Sequence, residues 1–101
     1  MKVAIASQDK TLEARTAPRA GRAPYYLIFS DDGELEEVME NSFAQSGGGA
    51  GTGVAQMLAD KGVEKVILEQ VGPKMKMALE DRGVEIQEVN SDAIKNIVSS
   101  W

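Results

Sequence analysis

The 101-residue sequence predicts a single α/β domain over residues 1–101, a five-stranded mixed sheet with helices on its faces in the order β-β-β-α-β-α-β-α. Three features carry this expectation. Tyr25-Tyr26-Leu27-Ile28-Phe29 is aromatic and branched throughout, and the Asp31-Asp32-Gly33 turn after it leads back into Leu35–Glu40, so the chain should begin its sheet with an antiparallel hairpin. Leu58-Ala59-Asp60-Lys61-Gly62-Val63-Glu64 is echoed by Leu79-Glu80-Asp81-Arg82-Gly83-Val84-Glu85, each copy a helix end, a glycine stop and a strand start. Two successive αβ units of this kind make parallel strand pairs joined by right-handed crossovers. Finally, Ala93, Ile94, Ile97, Val98 and Trp101 share one face of a last helix.

The remaining elements fall into place around these. Lys2–Ala6 is a short run of small and branched apolar residues, a buried strand. Gln8–Gly21 has no period and reads as a loop. Leu35–Glu40 carries many charges, which suits the edge of a sheet. Asn41–Gly53 is a second long loop, after which Val54, Met57 and Leu58 recur at helical spacing until Gly62. Val63–Leu68 is a buried strand. Gly72-Pro73 opens the next helix, with Pro where a missing N–H costs nothing, and Met75, Ala78 and Leu79 give it an apolar face. Val84–Val89 is a short strand, and Ser91 or Asp92 is placed to cap the last helix. This order is the layout of ribonuclease H-like domains. Nucleases of that type need carboxylates on the first strand to hold magnesium, and Lys2–Ala6 has none.

Composition removes several function classes. There is no Cys and no His, so disulfides, thiolate or imidazole metal ligands and Ser-His or Cys-His dyads are impossible. No apolar run approaches the ~20 residues of a membrane span. The N-terminus is too short and too strand-like for a secretory signal, so a cytoplasmic location is expected. The net charge of −5 disfavours nucleic acid as a partner. That charge is unevenly spread. Residues 1–24 hold five Lys/Arg against two Asp/Glu, whereas the other 77 hold six against fourteen.

Three segments could carry chemistry. The run Gly47-Gly48-Gly49-Ala50-Gly51-Thr52-Gly53 allows successive main-chain N–H groups to point at one place beside a helix start, an anion cradle. It fits neither nucleotide motif: no G-x-G-x-x-G can be read from it, and Val54-Ala55 follows where a P-loop needs Lys-Ser/Thr. A glycine-rich helix entry without a ligand is the alternative. Pro18-Arg19-Ala20-Gly21-Arg22-Ala23-Pro24 presents Arg19 and Arg22, whose planar donor forks suit oxyanions and soft polyanions; the alternative is a solvated loop paired with nearby carboxylates. Gly72-Pro73-Lys74 lies at the C-terminal end of a parallel strand, where ligands of open α/β sheets gather. The three segments are expected to face one another. Met57 and Met75 fall on core faces and read as packing, not as thioether ligands. No spacing of Asp, Glu or Lys suggests a catalytic pair, so an enzyme is the least favoured class.

Lys2-Val3-Ala4-Ile5-Ala6, the segment Pro18–Tyr26 with its Arg-x-Gly-Arg-Ala core, the glycine-rich loop 41–53 followed by Ala55-Gln56-Met57-Leu58, Gly62-Val63 and Gly72-Pro73 together resemble the dinitrogenase iron–molybdenum cofactor biosynthesis family. The likeness covers almost the whole chain. It implies a ribonuclease H-like accessory domain that binds, inserts or carries a metal–sulfur cluster or its precursor, a molybdenum–iron or molybdenum–copper sulfide, and that has a cluster donor or acceptor protein as its partner. By that likeness Arg19, Gly21, Arg22, Gly47, Gly48, Gly49, Gly51, Thr52, Gly53, Gly72 and Pro73 would line the site. Two departures shape the expectation. Ala20 stands where the family usually has Phe, and Gln45 and Ser46 stand where many relatives carry His. A direct imidazole–iron bond is therefore impossible here, and weight shifts toward a cluster held non-covalently by charge and hydrogen bonds. The competing reading is a non-metal interaction or regulatory domain that takes a protein partner or a small organic anion.

Overall fold

A computed structural model describes residues 1–44 and 50–101. The elements run β1 (Lys2–Ser7), a 3-10 turn (Ala20–Arg22), β2 (Tyr25–Phe29), β3 (Leu35–Glu40), α1 (Ala50–Asp60), β4 (Val63–Leu68), α2 (Pro73–Asp81), β5 (Glu85–Glu88) and α3 (Ile94–Ser99). The strands form one sheet in the order β3-β2-β1-β4-β5. β1 pairs antiparallel with β2, and β2 antiparallel with β3; β4 is parallel to both β1 and β5. The expected α/β architecture with a mixed five-stranded sheet is thus present.

β1 lies at the centre because it can be buried on both sides. Alternate residues point to opposite faces of a strand. Ala4 and Ala6 enter one core with Tyr26, Ile28, Val66 and Leu68, beneath Val54, Ala55 and Leu58 of α1 and Met75, Ala78 and Leu79 of α2. Val3 and Ile5 enter the other with Leu27, Phe29 and Ile67, covered by Ile94 and Ile97 of α3. The small alanines of β1 lie on the face that carries two helices. Trp101, just beyond α3, meets the Phe29 ring edge-on at 5.7 Å and remains 45% exposed. No helix among the described residues is long and apolar enough to cross a membrane.

Several boundaries differ from expectation, among them β1, which runs one residue further to Ser7, and α3, which ends at Ser99 before Trp101. The stretch read as loop up to Gly21 ends in the 3-10 turn, stapled by Arg22 N–H to Arg19 O and Ala23 N–H to Ala20 O. α1 starts at Ala50 and not after Gly53. Each glycine in a helix costs about 1 kcal/mol relative to Ala, so propensity argues for the later start. Tertiary contact overrides it: Gly51 abuts Met75 and Gly53 abuts the Phe43 ring, and a Cβ at either would come within 2.5 Å and 2.6 Å of those side chains. β5 is one residue shorter at each end; at its start Val84 N–H turns back to Leu79 O at the close of α2. At α3 neither Ser91 nor Asp92 is the cap. Ala93 holds that position, and the Asp92 carboxylate instead accepts from the Ala93 N–H at 2.7 Å and from Asn96 at 2.9 Å.

Candidate functional site

The arginine-bearing turn is held by buried polar groups. Ala20 N–H donates to Gln70 O at 2.9 Å, which ties the turn to the segment between β4 and α2. The Tyr26 hydroxyl, fully buried under the sheet, donates to Ala20 O. Burial pushes the Tyr26 phenol far above its ordinary range, so it is a donor at any pH at which the fold persists. Asn41, 5% exposed, completes the clamp: its Nδ2 donates to Ala23 O at 2.9 Å and Gly21 O at 3.2 Å, while its Oδ1 accepts from Phe43 N–H at 2.9 Å. One side chain thereby links the turn to the start of the loop leading into α1. Arg22 Nη1 donates to Ala44 O at 3.2 Å, a second tie between the same two segments.

Two helix starts meet this turn. The contact of Gly51 with Met75 brings the first turns of α1 and α2 to a separation that no side chain on Gly51 would allow. A Cβ on Gly21 would stand 3.5 Å from Gly51 N, so the turn packs directly on the beginning of α1. α2 begins after Gly72, in extended conformation (φ −72°, ψ 160°), and no side chain caps it. Pro73 follows, and the next helical amides belong to Lys74 and Met75.

Between these parts lies an open cavity of about 340 Å³, lined by Gly21 and Arg22 on one side, Ala50 and Gly51 on another, and Gly72, Pro73, Lys74 and Met75 on the third. Helix starts carry partial positive charge, and Arg22 and Lys74 add full charges, so the cavity favours an anion. Lys74 is exposed and has no ion-pair partner among the described residues. No cluster of three or more Asp or Glu fit to hold a metal ion occurs among them either. A second concavity, of about 360 Å³, lies beside Pro24, Tyr25, Glu40, Asn41, Ser42 and Ala44; its one charged lining residue is Glu40, the wrong sign for an anion.

The eleven residues singled out from sequence divide accordingly. Gly21, Arg22, Gly51, Gly72 and Pro73 line the cavity. Arg19 is exposed at the entry to the 3-10 turn and does not line it. Thr52 is exposed within the first turn of α1, outside the lining, and Gly53 faces Phe43 instead. Gly47, Gly48 and Gly49 lie outside the described residues. Lys74 belongs to the Gly72-Pro73-Lys74 segment expected to carry chemistry but not to the eleven residues expected to line the site, and the structure adds it to the lining. Asn41, the first residue after β3, is missed as well, and nothing in its local sequence marks it. Met75, on a core face by its spacing, is 3% exposed, yet its exposed edge belongs to the cavity.

The comparisons with known proteins agree across the whole chain. The sequence is 27% identical to the uncharacterized protein MJ0580 of Methanocaldococcus jannaschii, over 97% of this chain and 82% of that protein. The fold superposes on the apo form of the orange protein from Desulfovibrio gigas with a TM-score of 0.90 and 25% identity, covering 97% of this chain and 83% of that one. It superposes on the NMR structure of a Thermotoga protein described as a NifB protein with a TM-score of 0.84 and 31% identity, over 98% of this chain and 84% of that one. Residues 1–101 match the dinitrogenase iron–molybdenum cofactor family, and the chain belongs to that family.

Proposed function

We propose that this protein binds an anionic metal–sulfur cluster, or its precursor, non-covalently in the cavity between the 3-10 turn and the starts of α1 and α2, and carries it between a donor and an acceptor protein. The observation that carries this reading is the make-up of the cavity: two helix starts, Arg22 and Lys74 around about 340 Å³. The chain has no imidazole or thiolate to offer a metal. A sulfide-capped cluster brings its own ligands and presents a soft, delocalised negative surface, which guanidinium, ammonium and main-chain N–H groups match. Likeness to the orange protein and to the NifB-described protein supports the same ligand class. The strand order supports classing the fold as ribonuclease H-like.

The chemistry needed is retention, not turnover. Arg22 and Lys74 attract the cluster and fix it from opposite sides, the amides beginning α1 and α2 supply hydrogen bonds, and Tyr26 and Asn41 hold the turn in place from beneath. Titration with tetrathiomolybdate and Cu(I), followed by visible absorption, tests the reading. The wild-type protein is expected to give a saturable band. Arg22→Ala and Lys74→Ala should each weaken binding about ten-fold or more, as expected for loss of a charge-assisted contact. Unaltered affinity in the double variant would show that the cavity is not the site.

A further inference from the structure

The seven described glycines sort by what the fold requires of them. Gly33, Gly62 and Gly83 have φ of 87°, 79° and 73°, a region that side chains rarely enter. Gly51 and Gly53 sit too close to Met75 and Phe43 to carry a Cβ. Gly21 and Gly72 meet neither demand. At Gly72 the backbone is one that any residue adopts, and a Cβ would have no heavy atom within 4 Å. At Gly21 a Cβ would make ordinary contacts, 3.5 Å to Gly51 N, 3.6 Å to Gly51 Cα and 3.9 Å to Ala50 Cβ. Both residues line the same cavity, one on each side of it.

We infer that Gly21 and Gly72 set the size of ligand that the cavity accepts, their missing side chains being space that a bulky cluster fills against the main chain. This rests on the cluster-binding reading and deepens it. The cavity volume of about 340 Å³ is roughly ten times the share of one water molecule in the liquid, well beyond a lone tetrahedral anion. A multinuclear cluster reaches both glycine walls at once. A single tetrahedral anion can sit against Arg22 or Lys74 without touching both. A methyl at Gly72 would project into open space at the wall, and one at Gly21 would stand beside the first-turn amide of Gly51 and hold a large ligand off it. Because neither methyl meets a neighbour closer than 3.5 Å, the loss falls on ligand and not on fold.

The test compares two probes, a copper–thiomolybdate cluster assembled from tetrathiomolybdate and Cu(I), and tetrathiomolybdate alone. Affinities are measured for wild type, Gly21→Ala, Gly72→Ala and the double variant, with thermal melts alongside. The expected result is that the double variant melts close to wild type while its preference for the cluster over the mononuclear anion falls about ten-fold or more, as for overfilling a packed site. An unchanged preference, or an equal loss for both probes, would overturn the size role while leaving the cluster reading intact. Failure of wild type to bind either probe would overturn both.

Discussion

Replacing Gly51 with Ala puts the closest contact of the site under direct load. A Cβ at this position would lie 2.5 Å from Met75 Cβ, 3.3 Å from Met75 Cα and 3.3 Å from Met75 Cγ. Carbon atoms in contact prefer about 3.5–4.0 Å, so the shortfall at Met75 Cβ is at least about 1 Å. Rotation of Met75 cannot relieve it, because Cβ is bonded to the backbone. The first turns of α1 and α2 must therefore part. Ala in a helix is better than Gly by up to about 1 kcal/mol, and that gain opposes an overpacking cost of about 1–3 kcal/mol. With the full propensity gain the balance is a net loss of up to about 2 kcal/mol, and each kcal/mol lost lowers the melting temperature of a chain of this size by about 4–8 °C. Thermal unfolding followed by circular dichroism, with a urea titration to confirm an unchanged m-value, reads the effect. A Gly51→Ala protein that melts at or above wild type would mean that only the helix-propensity gain is acting, and would refute the close approach of the two helices.

Asn41→Ala removes the donor to Gly21 O and Ala23 O and the acceptor for Phe43 N–H, and should cost about 2–3 kcal/mol in urea unfolding; Asn41→Asp keeps the acceptor but sets a buried carboxylate oxygen against two carbonyl oxygens and should cost at least as much, and equal midpoints for all three proteins would contradict the clamp. Alkaline titration probes Tyr26. Its folded-state pKa is raised by burial, so the stability it contributes is full below the ordinary phenol value near pH ~10 and is lost as pH rises beyond it, when the unfolded chain can ionise and the folded one cannot. The phenolate absorbance belonging to Tyr26, isolated by comparison with Tyr26→Phe, should therefore appear only together with loss of the circular dichroism signal.

Most of the sheet was legible because its strands declare themselves by side-chain type. Tyr25–Phe29, Leu35–Glu40 and Val63–Leu68 have the boundaries that their apolar runs and flanking turns suggest. The Leu58–Glu64 and Leu79–Glu85 echo likewise marked where α1 and α2 give way to β4 and β5. The start of α1 was not legible, since a helix that opens Ala50-Gly51-Thr52-Gly53 is decided by Met75 and Phe43, residues distant in sequence or outside any periodic pattern. The same holds for the arginines. Arg19 and Arg22 are alike in composition and neighbourhood, and only the 3-10 turn between them determines that Arg22 reaches the cavity. Asn41 is silent in sequence because its role is to satisfy carbonyls eighteen and twenty residues earlier.

The opening turn of α1 has no side chain larger than threonine. It has little with which to hold itself together, so its integrity is borrowed from the residue 41–44 segment on one flank and from α2 on the other. Such a turn detaches when either neighbour loosens, at less free energy than unfolding the whole domain requires. The amides of residues 50–53 should then exchange with solvent as one unit with those of 42–44, ahead of the rest of α1. On the proposed cluster-binding reading, an occupant of the cavity would close that unit and a departing one would release it, so that taking up cargo and giving it away would be two directions of one small local equilibrium.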